Sequence, residues 1–303
     1  MTLLDRIERA AGVPGLAETL GSMPAADLRS LMLEVNRRQA ARVKPAQVLA
    51  QYRRDKFTGA ATQDPAAFAA FDLQAFSVLR AKGYTPVELS PVCPLGTVSA
   101  LSPMDQNRVL TTERGTEVTA DATNVLGLES AVRRSGRSWV KLCASHRLLR
   151  TQPFPAGWSQ HFRLLALTIA GRDEGSFRFE TASLRSHFEA IATLLPGCHI
   201  YLTDLNNHKT ALQTRVITPL RDIVPITFDD TRTRGRGYYT DTCFDIHLNG
   251  TSVGDGGFVP WTRHLLGNNK ERLLTAGLGV EMLLNATATP PRTDATHSAP
   301  ADR

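Results

Sequence analysis

The stretch from Val140 to Asp173, V-K-L-C-A-S-H-R-L-L-R-T-Q-P-F-P-A-G-W-S-Q-H-F-R-L-L-A-L-T-I-A-G-R-D, decides how the rest of the chain is read. It opens with the alternation of a half-buried strand, at Val140, Leu142 and Ala144. A lone Arg150 stands at the far end. A polar loop with Pro153, Pro155 and Gly157 follows, and a second strand begins at His161-Phe162 and closes at Gly171. Two strands joined by a Pro/Gly loop predict an antiparallel hairpin. The guanidinium at its end is a fixed fork of donors suited to a carboxylate or phosphate. Phe162 begins the return strand with an aromatic face on which a base can stack.

Outward from the hairpin, 303 residues suffice for one large domain with an appendage. A hydrophobic share of 42% and a charged share of 21% are those of an ordinary globular chain. A formal net charge of +6 permits contact with nucleotides without requiring it, and the arginines are scattered enough to read as solvated surface. Cys93, Cys143, Cys198 and Cys243 lie far apart without metal-ligand spacing, which predicts reduced cysteines and no metal site of the protein's own. Charges at the N-terminus exclude a signal peptide and no apolar run is long enough to cross a membrane, so the expected location is the cytoplasm.

Residues 1–60 predict helices, with Leu28, Leu31, Met32 and Val35 as an apolar stripe beside a solvated basic face from Arg29 to Lys44. A longer helix is expected from Asp64 to Lys82, stopped by Gly83, then a short strand running from Tyr84 into Pro91. Asn124 to Arg134 predicts a helix. Ser183 to Leu195 is amphipathic, and His199 to Leu205 predicts a strand. Residues 286–303 are mostly Thr, Ala, Pro and Asp, unable to build a core, and predict a disordered tail.

The hairpin resembles motif 2 of the class II aminoacyl-tRNA synthetases, most closely of the histidyl branch. Arg150 stands at that motif's arginine, Phe162 at its adenine-stacking phenylalanine, and Gln152 replaces the usual glutamate. The helix–strand–Pro91 run resembles motif 1, which in that family builds the dimer interface. Arg234-Gly-Arg-Gly-Tyr-Tyr, with Thr242, Phe244 and Asp245, resembles the histidyl-specific block, with Arg234 at its extra catalytic arginine and Tyr239 at its side-chain-pocket tyrosine. The run from Thr116 to Asn124 resembles a strand of the histidyl branch, and Asp121 and Thr123 fall where the family holds the amino acid's α-amino group. Gly254-Asp-Gly-Gly-Phe matches a family turn in its glycines only. The run from Leu274 to Leu284 is similar to motif 3, with Met282 in place of its ATP-binding arginine.

The resemblance implies an α+β fold, an antiparallel sheet flanked by helices, over a core at 61–285 preceded by a helical segment at 1–60. It implies a homodimer. Its chemistry is adenylation of an amino acid, with Arg150 and Arg234 neutralising carboxylate and α-phosphate, Arg150, Gln152 and Phe162 binding ATP, Mg²⁺ bridging phosphates, and Asp121, Thr123 and Tyr239 holding the amino acid. Leu164 and Thr168 stand where histidyl enzymes place a glutamine and a glutamate, which argues against histidine. The expected insertion after residue 206 and the anticodon-binding domain have no counterpart in this sequence, so ordinary tRNA charging is not expected. Two functions follow: an ATP-dependent ligase passing an amino acid to a protein or carrier, or a non-catalytic regulator resembling the regulatory subunit of ATP phosphoribosyltransferase.

Overall fold

The computed structural model describes residues 2–134, 138–154 and 158–288. Four helices come first: α1 (Leu3–Ala11), α2 (Leu16–Ser22), α3 (Ala25–Ala40) and α4 (Pro45–Tyr52). None of them contains a buried residue. The stripe expected on α3 is therefore no core: Leu31 is 40% exposed, and Leu28, Met32 and Val35 are only half-buried. Helix α2 is also an addition to the sequence reading, created where Gly12 and Gly15 turn the chain in the left-handed region.

The core begins at α5 (Pro65–Ala81), capped by Asp64 through its Oδ1 to Ala66 N at 2.9 Å and opened by a proline suited to its first turn. Then follow β1 (Thr85–Pro86), β2 (Val92–Pro94), α6 (Thr97–Leu101), β3 (Thr116–Val118) and α7 (Ala122–Arg133). The hairpin is β4 (Val140–Leu149) and β5 (His161–Arg172), antiparallel and in unbroken register from Val140↔Ala170 to Leu149↔His161. Next come α8 (Arg178–Leu194), β6 (His199–Asp204), the short helices α9 (Lys209–Leu212) and α10 (Thr218–Leu220), and β7 (Ile226–Phe228). The chain closes with β8 (Thr242–Leu248), β9 (Thr251–Val259), α11 (Trp261–Leu266), β10 (Glu271–Gly279) and α12 (Val280–Ala288). Residues 286–288, expected to open a disordered tail, end α12 instead; 289–303 lie outside the described residues.

Eight strands form one sheet in the order β1-β4-β5-β10-β9-β8-β6-β7, antiparallel inside and parallel at its two outer pairs. Strand alternation divides its two faces. Cys143, Leu165, Leu167, Ile169, Leu274 and Ala276 build the larger core with residues of α5 and α8. Leu142, Ala144, Leu148, Ala166, Val259 and Leu273 join Ala122 and Leu126 of α7 and Trp261 of α11 on the other face. The second face is covered chiefly at β4, β5 and β10 and at the end of β9; toward β8 and β6 it carries His247, Tyr201 and His199, all half-buried. The glycines read as a turn lie inside β9, where they let backbones approach: a Cβ on Gly256 would collide with the Thr275 carbonyl and the Phe244 ring. Gly256→Ala should therefore lower unfolding free energy by about 1–3 kcal/mol in a urea titration.

Behind the sheet, His187 of α8 is fully buried, with Nδ1 2.9 Å from the Tyr84 hydroxyl and Nε2 without a partner. Burial pushes its pKa down to about 3 from 6.5. The unfolded chain binds the proton and the folded one does not, so stability should fall from about pH 6.5 toward pH 3, with a slope of up to about 1.4 kcal/mol per pH unit. Comparing pH-dependent denaturation of the wild type and His187→Phe checks this: the variant should lose that component of the slope.

Candidate functional site

Arg150 follows the last residue of β4 at the edge of the half-covered face. Its Nε donates to the Ala120 carbonyl at 2.7 Å and its Nη2 to Asp121 Oδ2 at 3.2 Å. The guanidinium lies 5.3 Å from the centroid of Phe162, a cation–π distance, and Phe154 meets Phe162 edge-on at 6.0 Å. Asp121 is not in a strand; it is the N-cap of α7, its Oδ1 accepting from Thr123 N at 2.9 Å and Thr123 Oγ1 at 2.7 Å. The helix N-terminus thus fixes the carboxylate and the carboxylate fixes the arginine. The two side chains are 14% and 19% exposed, sheltered but reachable.

The tyrosine pair arrives on the loop before β8. Gly235 and Gly237 have φ of +80° and +84°, and Tyr238 and Tyr239 both donate backbone N–H groups to the Gly235 carbonyl at 3.0 Å. Tyr238 packs edge-on against Trp261 at 5.9 Å. Tyr239 lies over Gly257, where a Cβ would be 2.6 Å from its ring. Burial raises the Tyr238 pKa, with Asp121 and Asp255 adding to it and the Thr123 hydroxyl working against it. Burial likewise lifts Tyr239, with Asp255 next in weight. Both phenols are neutral donors at neutral pH, and Asp121, Thr123, Tyr238 and Arg150 form one neighbourhood.

Arg234 does not join it. Its side chain is 77% exposed and donates to Asp245 Oδ2 at 3.3 Å. The buried arginine of this loop is Arg232, with a 6% exposed side chain, its Nη2 on Asp255 Oδ2 at 2.9 Å and its Nε on the Arg234 carbonyl at 3.0 Å. Three arginines in five residues, Arg232, Arg234 and Arg236, are not ranked by type or spacing, so the sequence reading passed over Arg232 and Asp255. Gln152 is half-buried beyond β4. Thr168 is buried and 3.1 Å from the Ser130 hydroxyl, and Leu164 sits against Gly277.

This arrangement can receive a zwitterion: Arg150 offers donors to a carboxylate, while Asp121, supported by Thr123, accepts from an ammonium. A triphosphate fits less well. Phe162 presents a ring beside Arg150, but Met282, lying on Gly279, is apolar and Arg234 is turned to Asp245. Among the described residues no group of three or more His, Cys, Asp or Glu could hold a metal ion.

The chain has the fold of a class II aminoacyl-tRNA synthetase core of histidyl type. It resembles the ATP phosphoribosyltransferase regulatory subunit/histidyl-tRNA synthetase from Bacillus halodurans, with a TM-score of 0.61 and 13% identity over 77% of this chain and 82% of that one. It resembles histidyl-tRNA synthetase from S. aureus at a TM-score of 0.57 and 16% identity, over 77% and 69% of the two chains. A histidine–tRNA ligase subunit from Alicyclobacillus acidocaldarius matches at 0.56 and 15%, over 76% of this chain and 98% of that one. No protein-family model matches, nor does any curated protein sequence. No helix among the described residues is long and apolar enough to cross a membrane.

Because Asp121 serves both cap and ion pair, its two tasks separate by mutation. Asp121→Ala should cost about 1 kcal/mol in a denaturant titration through loss of the cap. Asp121→Asn, which keeps a capping oxygen, should cost less.

Proposed function

We propose that this chain is an amino-acid-binding paralogue of the histidyl-tRNA synthetase core, working as a non-catalytic regulator of a partner enzyme. The observation that carries the reading is the Arg150–Asp121 pair, sheltered, water-accessible and backed by Thr123 and Tyr238. An amino acid's carboxylate and ammonium replace each half of that pair with a charge of the same sign. Loss of the motif 3 cation at Met282 and the outward turn of Arg234 favour binding without activation. The name of the Bacillus halodurans neighbour joins a regulatory subunit and a synthetase, in keeping with either outcome. The second reading, a ligase activating an amino acid with ATP and Mg²⁺ for a protein or carrier, is favoured by Arg150 lying over Phe162. Assembly as a homodimer and a cytoplasmic location belong to both.

Calorimetry of the full chain with a panel of amino acids should give binding that Arg150→Ala weakens by about tenfold or more. No binding by any of them would overturn the site. ATP–pyrophosphate exchange should be absent with the amino acid that binds; measurable exchange would replace the regulatory reading by the ligase.

A further inference from the structure

On the open part of the same face, β9 carries a second ion pair of different build. Arg232 and Asp255 meet at 2.9 Å, yet the arginine side chain is 6% exposed and the carboxylate 50%. The guanidinium is the buried support and the carboxylate is the group presented. Arg232 Nη1 is buried without a partner. The same arginine also holds the loop, its Nε donating to the Arg234 carbonyl at 3.0 Å. Asp255 Oδ2 holds the arginine, while none of the described residues donates to Oδ1. A carboxylate so placed gains from a further cation beside it.

The space between this carboxylate and Asp121 is bridged by tyrosines. Tyr239 lies over Gly257, two residues from Asp255 on the same strand, and meets Tyr238 at 4.8 Å between centroids. The β5 positions on this face offer no acid: Thr168 is engaged with Ser130 and Leu164 is apolar. A ligand side chain leaving Asp121 therefore passes aromatic and aliphatic surface before reaching a carboxylate. A methylene stem with a terminal cation matches that sequence of surfaces. An imidazole, largely neutral at pH 7, gains less from the carboxylate.

We propose that Asp255, positioned by Arg232, receives the far end of the bound amino acid's side chain and selects one ending in an aliphatic ammonium or guanidinium. The inference rests on the amino-acid site proposed above.

The test is calorimetry of the full chain at pH 7 with L-lysine, L-arginine, L-histidine and L-norleucine, the last being lysine's apolar near-isostere. Lysine or arginine should bind about tenfold or more tightly than norleucine and histidine. Asp255→Asn should bring the lysine-to-norleucine ratio to within about twofold, and Asp255→Glu should keep the preference. Because Asp255→Asn leaves Arg232 buried and unpaired, the double variant Arg232→Met/Asp255→Asn, which removes both charges, provides the same readout if the single variant does not fold. Norleucine or histidine binding as tightly as lysine, or an unchanged ratio in either variant, overturns the inference and leaves the amino-acid site standing. Binding of none of the four, alongside binding of another amino acid, overturns it equally. Binding of no amino acid at all removes the site and the inference together.

Discussion

The contact on which this site depends is the pair between Arg150 and Asp121. Each member is fixed by a different element, Arg150 by the end of β4 and its bond to the Ala120 carbonyl, Asp121 by the N-terminus of α7. A partly buried ion pair contributes little to stability unless its remaining groups are satisfied. Here Thr123 takes up one carboxylate oxygen and Phe162 lies under the guanidinium. The pair is thus held in one geometry while both side chains stay in reach of solvent. Arg134–Glu271 is built differently, with side chains only 4% and 2% exposed.

The sheet makes this possible by unequal coverage. One face is packed under α5 and α8, which bury Phe179, Phe188 and Leu79 completely. The other is covered by α7 and α11 chiefly over β4, β5 and β10. Glycines do the rest, because Gly257 leaves space for Tyr239 and Gly254 and Gly256 let β9 lie close to β10. A sheet built of larger residues at these positions would have no room for the tyrosines, and the carboxylates of β8 and β9 would face a different neighbour.

Much of the architecture was legible in the chain. The β4–β5 hairpin, α5 with its Gly83 stop, most of α7 and the strand at β6 follow from apolar period and Gly/Pro punctuation, which are local signals, while the run through β10 into α12 rests on its resemblance to motif 3. The N-terminal stripe at Leu28, Leu31, Met32 and Val35 has helical spacing but no surface to bury it, and spacing alone does not supply one. The glycines of β9 looked like a turn because close backbone packing and a turn both call for a missing Cβ.

The site divides in the same way. Sequence determined that an arginine ends the hairpin's first strand and that two tyrosines follow an Arg/Gly run, since those are matters of residue type and order; it places Asp121 and Thr123 in a strand, where the fold makes them the cap and first turn of α7. Tertiary structure alone decided which guanidinium turns inward: Arg232 is buried on Asp255 while Arg234 faces solvent on Asp245. The reason is physical. The direction of a side chain in that loop is set by two left-handed glycines and by the register of β8 against β9, and register is a relation between strands that no single segment encodes.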